Sequence, residues 1–87
     1  MPGPIRTVGI VVGAGADDLG PALEAGVDAF VTGEAPERAM HVAVEHGLCF
    51  VAAGHHDTER LGVQALGELL AAEHGVEHVF VDVPNPL

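Results

Sequence analysis

Three short apolar runs, each closed by glycine and each followed by a segment that reads as helix, limit what this chain can fold into. Val8-Gly9-Ile10-Val11-Val12 ends in Gly13-Ala14-Gly15, Ala29-Phe30-Val31-Thr32 is closed by Gly33, and the run from Leu48 to Ala53 is closed by Gly54. Runs that are apolar throughout, without alternation, are what strands look like when both faces of a sheet are covered. The segments between them carry helix signals. Asp18 is a better cap than Asp17 for the first helix, because it puts Pro21 inside the first turn, where a missing N–H is harmless; Gly26 follows Ala25 as its stop. A second helix is predicted from Pro36 to just before Gly47, with Met40, Ala43 and Val44 as its inner stripe. A third runs from about Thr58 to Glu73 with Leu66, Leu69 and Leu70 inward. Glu77 to Val83 reads as a last strand, stopped by Pro84-Asn85-Pro86. The order β-α-β-α-β-α-β with short connections predicts one three-layer α/β domain over residues 1–87. Its sheet should be four-stranded and mostly parallel, with helices packed on it.

A chain of 87 residues without Trp or Tyr, and with only 3 Phe, builds a thin core. At this length core, metal and oligomer often share the work of stabilisation, so further burial against another copy or another chain is expected. The formal net charge is −10, and the only cations are Arg6, Arg38 and Arg60. Such a chain has no electrostatic footprint for nucleic acid or an anionic membrane. Cys49, the only cysteine, reads as a buried core thiol in a reducing compartment. Met1-Pro2-Gly3-Pro4 has neither the charged nor the apolar region of a targeting signal, and no run reaches transmembrane length. A cytoplasmic location is expected.

In parallel sheets, ligands bind beyond the carboxyl ends of the strands. Residues 13–17, 32–34 and 54–59 should therefore converge. His55 and Glu59 are four apart, which on a helix places an imidazole and a carboxylate on one face, within reach of one divalent cation such as Zn, Mn, Fe or Ni. The same residues also fit a plain helix start, with Asp57 or Thr58 as cap, Glu59 as a first-turn acid and both histidines in solvent. Glu34 is the candidate catalytic acid or base, against the alternative of an ordinary acid at a helix start. His41 is either a surface histidine or a group that orients a ligand. Gly13-Ala14-Gly15 could approach an anion, but it lacks the third glycine of a dinucleotide fingerprint and the lysine of a P-loop. His46, His74 and His78 read as solvated residues near element ends. No Ser/His/Asp or Cys/His nucleophile arrangement stands out.

The chain resembles the Nif-three-like family, the dinuclear-metal-centre hexameric proteins that carry the name GTP cyclohydrolase I type 2. The resemblance rests on Val27-Asp28-Ala29-Phe30-Val31-Thr32-Gly33-Glu34, on Ala52-Ala53-Gly54-His55-His56-Asp57-Thr58-Glu59-Arg60, and on Val81-Asp82-Val83-Pro84-Asn85-Pro86. It extends from about Ile5 to the end and covers only the C-terminal part of the family, whose full-length members are much longer. It implies a dinuclear site with a His-His pair and an Asp from the N-terminal part and a His and a Glu from the C-terminal part. The latter two map onto His55 and Glu59. Glu34 maps onto an acid that faces the same cleft, and His41 matches some members. The N-terminal ligands have no counterpart here. The missing ligands could come from His56, Asp57, Glu34, a second copy or a separate N-terminal chain. In a complete site two metals would activate a water and clamp the attacked group, and the implied activity is hydrolytic ring opening of a purine nucleotide such as GTP. With two ligands where three are the usual minimum, the isolated chain is expected to be inactive. A non-catalytic oligomeric assembly or regulatory module, binding metal weakly or not at all, is the alternative.

Overall fold

In a computed structural model, which describes residues 3–87, the three glycine-closed runs form a three-stranded parallel sheet: β1 (Val8–Val11), β2 (Ala29–Thr32) and β3 (Cys49–Ala52), in the order β1-β2-β3. Gly9, Phe30 and Phe50 lie in register, as do Ile10, Val31 and Val51 one residue further on. Successive side chains point to opposite faces, so these two rows mark the two sides of the sheet. Met1 and Pro2, part of the segment read as free of a targeting signal, lie outside the described residues.

The Phe30 side is covered. After β1 a 3-10 turn (Gly15–Asp18) leads into α1 (Leu19–Ala25), and α2 (Glu37–His46) connects β2 to β3. Asp18 occupies the cap position of α1, but its side chain makes no capping hydrogen bond. Leu19, Phe30, Ala43 and Leu48 form the buried cluster, with Val11, Ala22, Leu23, Val27, Val42 and Phe50 packed around it. Phe30 is fully buried, which contributes on the order of 1.5–3 kcal/mol relative to an exposed side chain. The two helices stop at the predicted glycines, Gly26 and Gly47.

The opposite side of the sheet is more open, although Ala29 on it is buried. Ile10 is 69% exposed, and Val8 and Val51 are exposed beside it. The α/β class and the parallel strands are as expected, but only one helical layer covers the sheet. Several inward positions differ from expectation. α2 buries Ala39 and Ala43, while Met40 and Val44 face solvent. Cys49 is half-buried rather than sealed in the core.

The third helix, α3 (His55–His74), starts three residues before the predicted Thr58 and buries no residue along its length. Leu66, Leu69 and Leu70, predicted to point inward, are all exposed. Twenty helical residues span about 30 Å, and the molecule measures 49 × 25 × 20 Å. Its Cα radius of gyration is 15.9 Å, against ~12 Å for a compact domain of this length. The predicted fourth strand does not form. Residues 75–87 make no ladder and fold back along α3 instead, where His78 fills the space left by Gly67. The tail is held at the start of α3, where His56 pairs with Asp82 at 3.0 Å and its N–H donates to the Leu87 main-chain oxygen at 2.9 Å. Among the described residues no helix is long and apolar enough to cross a membrane.

Asp28 ties the N-terminal approach to the start of β2. One carboxylate oxygen accepts hydrogen bonds from the Arg6 N–H at 2.8 Å, the Thr7 N–H at 3.0 Å and the Thr7 hydroxyl at 3.3 Å. The Arg6 amide, followed by the Thr7 amide, holds the Asp28 pKa below its ordinary 3.8. A depressed folded-state pKa stabilises the fold above the unfolded value, and that contribution is lost as pH falls through the folded one. Asp28→Ala should therefore destabilise the protein at neutral pH and flatten the decline in melting temperature below about pH 4. Thermal melts of parent and variant across the acid range check this.

Candidate metal centre

The carboxyl ends of the three strands are joined by a small polar network. Thr32, the last residue of β2, is completely buried. Its hydroxyl accepts from the Gly15 N–H at 2.9 Å and donates to the Gly13 carbonyl at 3.2 Å. The Gly13 N–H donates to the Thr58 hydroxyl oxygen at 3.0 Å, and that hydroxyl lies 2.8 Å from the Gly54 carbonyl. Main-chain bonds from Gly33 N–H to Gly13 O at 2.8 Å and from Gly54 N–H to Gly33 O at 3.1 Å complete the junction. Gly33 allows this close approach. A Cβ there would sit 2.4 Å from the Gly13 oxygen and 2.6 Å from the His55 Cα.

This junction places His55, on the first turn of α3, between two carboxylates. Its Nδ1 is 2.5 Å from Glu34 Oε1, and its Nε2 is 2.8 Å from Glu59 Oε1. The bond to Glu34 is the largest influence on the imidazole and raises its pKa above 6.5. Partial desolvation opposes it, and the Glu59 charge adds to it. Gly13, at φ +71°, closes the other side, where a Cβ would meet Glu59 Oε2 at 2.6 Å and His55 Nε2 at 3.2 Å. The missing Cβ leaves room beside the Nε2–Glu59 pair.

All three candidate residues, Glu34, His55 and Glu59, therefore lie together. Other readings fare differently. The N-cap of α3 is Gly54, with no side-chain capping bond, so neither Asp57 nor Thr58 caps the helix. The amides of Gly13 and Gly15 are taken by the two threonine hydroxyls, so neither glycine offers its N–H to an anion. His41 is exposed on α2. His46 Nδ1 lies 2.9 Å from the Val42 carbonyl one turn back.

For three residues sequence reasoning did not foresee the bonds they make. Thr32 is a polar residue ending an apolar strand, which was a usable signal. Thr58 was read only as a cap. His56 pairs through Nε2 with Asp82 Oδ1 at 3.0 Å, and its N–H donates to the main-chain oxygen of Leu87 at 2.9 Å. That link between the start of α3 and the end of the chain had no signal in spacing.

The family model that matches, Duf34/NIF3 (NGG1p interacting factor 3), spans residues 1–86. The chain belongs to the Duf34/NIF3 family. It is 49% identical over 83 residues to a Pseudomonas aeruginosa protein named GTP cyclohydrolase 1 type 2 homolog, covering 95% of this chain and 33% of that protein. A Haemophilus influenzae protein of the same name is 51% identical over 82 residues, covering 94% of this chain and 33% of the relative. The solved structure of protein ybgI, described as of unknown function, superposes with a TM-score of 0.85 at 46% identity, over 92% of this chain and 32% of that one. A crystal structure of a Thermus thermophilus protein gives 0.76 at 36% identity, over 97% of this chain and 37% of that one. This NIF3 chain thus spans about a third of the length of the curated relatives it matches.

Thr32→Val removes the hydroxyl that bridges Gly13 and Gly15 and leaves a buried amide without a partner. It should cost ~1–3 kcal/mol of stability, measured by urea unfolding.

Proposed function

We propose that this NIF3 chain contributes part of a divalent-metal site, with His55 Nε2 and Glu59 as the metal-binding groups. The 2.8 Å separation of the two donor atoms carries the reading. Two donors that each bind zinc at about 2.0–2.2 Å, at ordinary bond angles, lie roughly 3 Å apart. The gap at Gly13 supplies space, and an imidazole–carboxylate pair suits Zn, Mn, Fe or Ni.

In this reading Glu34 is a positioning residue. By accepting from Nδ1–H it fixes the tautomer that presents Nε2 to the metal. Its second carboxylate oxygen is left to act on a ligand as acid or base. Glu34 and Glu59 flank opposite nitrogens of one imidazole, so they cannot both join a cation at either nitrogen. Among the described residues no group of three or more His, Cys, Asp or Glu side chains is placed to hold a metal. The site is therefore completed from outside, by the remainder of a NIF3-type protein or by a second copy. The open Ile10 side of the sheet and the exposed leucines of α3 suit burial against either. The completed cytoplasmic protein would act on a purine nucleotide by hydrolysis, in keeping with the name its relatives carry. The metal would supply Lewis-acid polarisation there. The same apolar surface favours a second reading, a non-catalytic assembly module with weak metal affinity.

Calorimetric titration of zinc into the metal-stripped chain tests the assignment. Weak saturable binding is expected, abolished by His55→Ala or Glu59→Ala and weakened roughly 10–100-fold by Glu34→Gln. No heat in the parent, or unchanged binding in His55→Ala, would refute it.

A further inference from the structure

We infer that a second copy of this chain completes the His55–Glu59 site: two α3 helices pair antiparallel, and Glu73 of each supplies a carboxylate to the cation held by His55 and Glu59 of the other. The inference rests on the metal assignment proposed above and names what fills the incomplete site.

His55, Glu59, Gly62, Leu66, Leu69 and Glu73 follow one another along α3 at alternating steps of four and three. That is the spacing of a seam on which one helix meets another. Leu66 and Leu69 at its centre are exposed, as are Val63 and Leu70 on its flank. The tail lies on a different strip of the helix, where His56 holds Asp82 and Gly67 lies under His78. His56 and Gly67 point roughly 100–120° round from the seam, so the chain's own tail leaves the seam open.

The seam is complementary to itself. An antiparallel pair about a twofold axis near its middle sets Leu66 of each helix against Gly62 of the other. Gly62 stands inside the helix, where glycine is destabilising relative to alanine, and a Cβ there would meet nothing within 4 Å. No described residue of its own chain uses that space; the partner's Leu66 fills it. Gly67, by contrast, is accounted for by His78. The same register sets the partner's Glu73 opposite His55, with Glu59 in the next layer. Within one chain Glu73 is about five turns or 27 Å from His55, too far to share a cation. α3 ends at His74, and the left-handed Gly75 turns the chain back. The partner's helix therefore stops level with His55 and does not run on into the strand ends.

The chemistry of this layer calls for a cation. One neutral imidazole and two carboxylates are three protein ligands, the usual minimum for a divalent site with an open position, and their charges balance those of the ion. Among the described residues one chain alone offers no such group of three. Without the metal, the same contact brings Glu59 close to the partner's Glu73 and joins two chains of formal net charge −10. Association is therefore zinc-dependent, and the dimer holds two equivalent sites.

Sedimentation equilibrium of the metal-stripped chain, in chelator and in zinc, tests the inference. Zinc should tighten dimerisation at least tenfold. Glu73→Gln and His55→Ala should each lose the zinc effect. An equimolar mixture of the two should regain it in part, because the mixed dimer rebuilds one site from His55 and Glu59 of one chain and Glu73 of the other. Gly62→Leu fills the space for the partner's Leu66 and should weaken the dimer at least tenfold while the helical circular dichroism is retained. A parent that binds zinc but stays monomeric, an undiminished zinc effect in Glu73→Gln, or a mixture without rescue would overturn the pairing and leave the His55–Glu59 assignment standing. A parent that binds no zinc would sink both.

Discussion

The buried hydroxyl of Thr32 is the interaction on which the site depends. Parallel strands end side by side, but their loops carry main-chain groups that are costly to bury unpaired. Thr32 answers both a donor at Gly15 and an acceptor at Gly13. That fixes the turn after β1 over the end of β2 and delivers Gly13 to Thr58 on the first turn of α3. The helix start is thereby set, and with it the direction of His55. Gly33 lets the backbones meet at a distance that any side chain would prevent. Without this junction, Glu34 on the loop after β2 would have no fixed relation to His55 and Glu59 on α3.

A second constraint is the incompleteness of the core. Two helices cover one side of the sheet, whereas Val8, Ile10 and Val51 on the other are exposed. α3 leaves the sheet with its apolar positions exposed, and the molecule is correspondingly long. The proposed metal site and the partial core have the same shape of deficit. Each has one side supplied here and the other missing, in a chain about a third as long as its relatives. A single partner surface, packed on the Ile10 side and on α3, would remove both deficits.

Much of this was legible in the residues. The three glycine-closed runs located each strand found among the described residues, and strand-end topology placed Glu34, His55 and Glu59 near one another. What failed was whatever depended on a neighbour. Leu66, Leu69 and Leu70 carry a helical stripe, but a stripe states only that a surface is apolar, not that this chain covers it. Met40 and Val44 misled similarly: of that stripe only Ala43 packs in the cluster with Phe30, and the other two face solvent. Glu77 to Val83 has strand composition, but Asp82 is held by His56 at the start of α3 and the segment pairs with neither edge of the sheet. Asp57 and Thr58 resembled caps because the competing partner of Thr58, the Gly13 amide, is 45 residues away. Long-range hydrogen bonds of that kind leave no period in a sequence.

The central claim is that Glu34 holds one nitrogen of His55 so that the other faces a metal. Two-bond 1H–15N spectra of the histidine rings, with and without zinc, test it most directly. Nδ1 of His55 should remain protonated throughout, while the Nε2 resonance moves to a metal-bound shift on zinc addition. Zinc that displaces the proton from Nδ1, or that leaves both His55 nitrogens unchanged while binding elsewhere, would contradict the account.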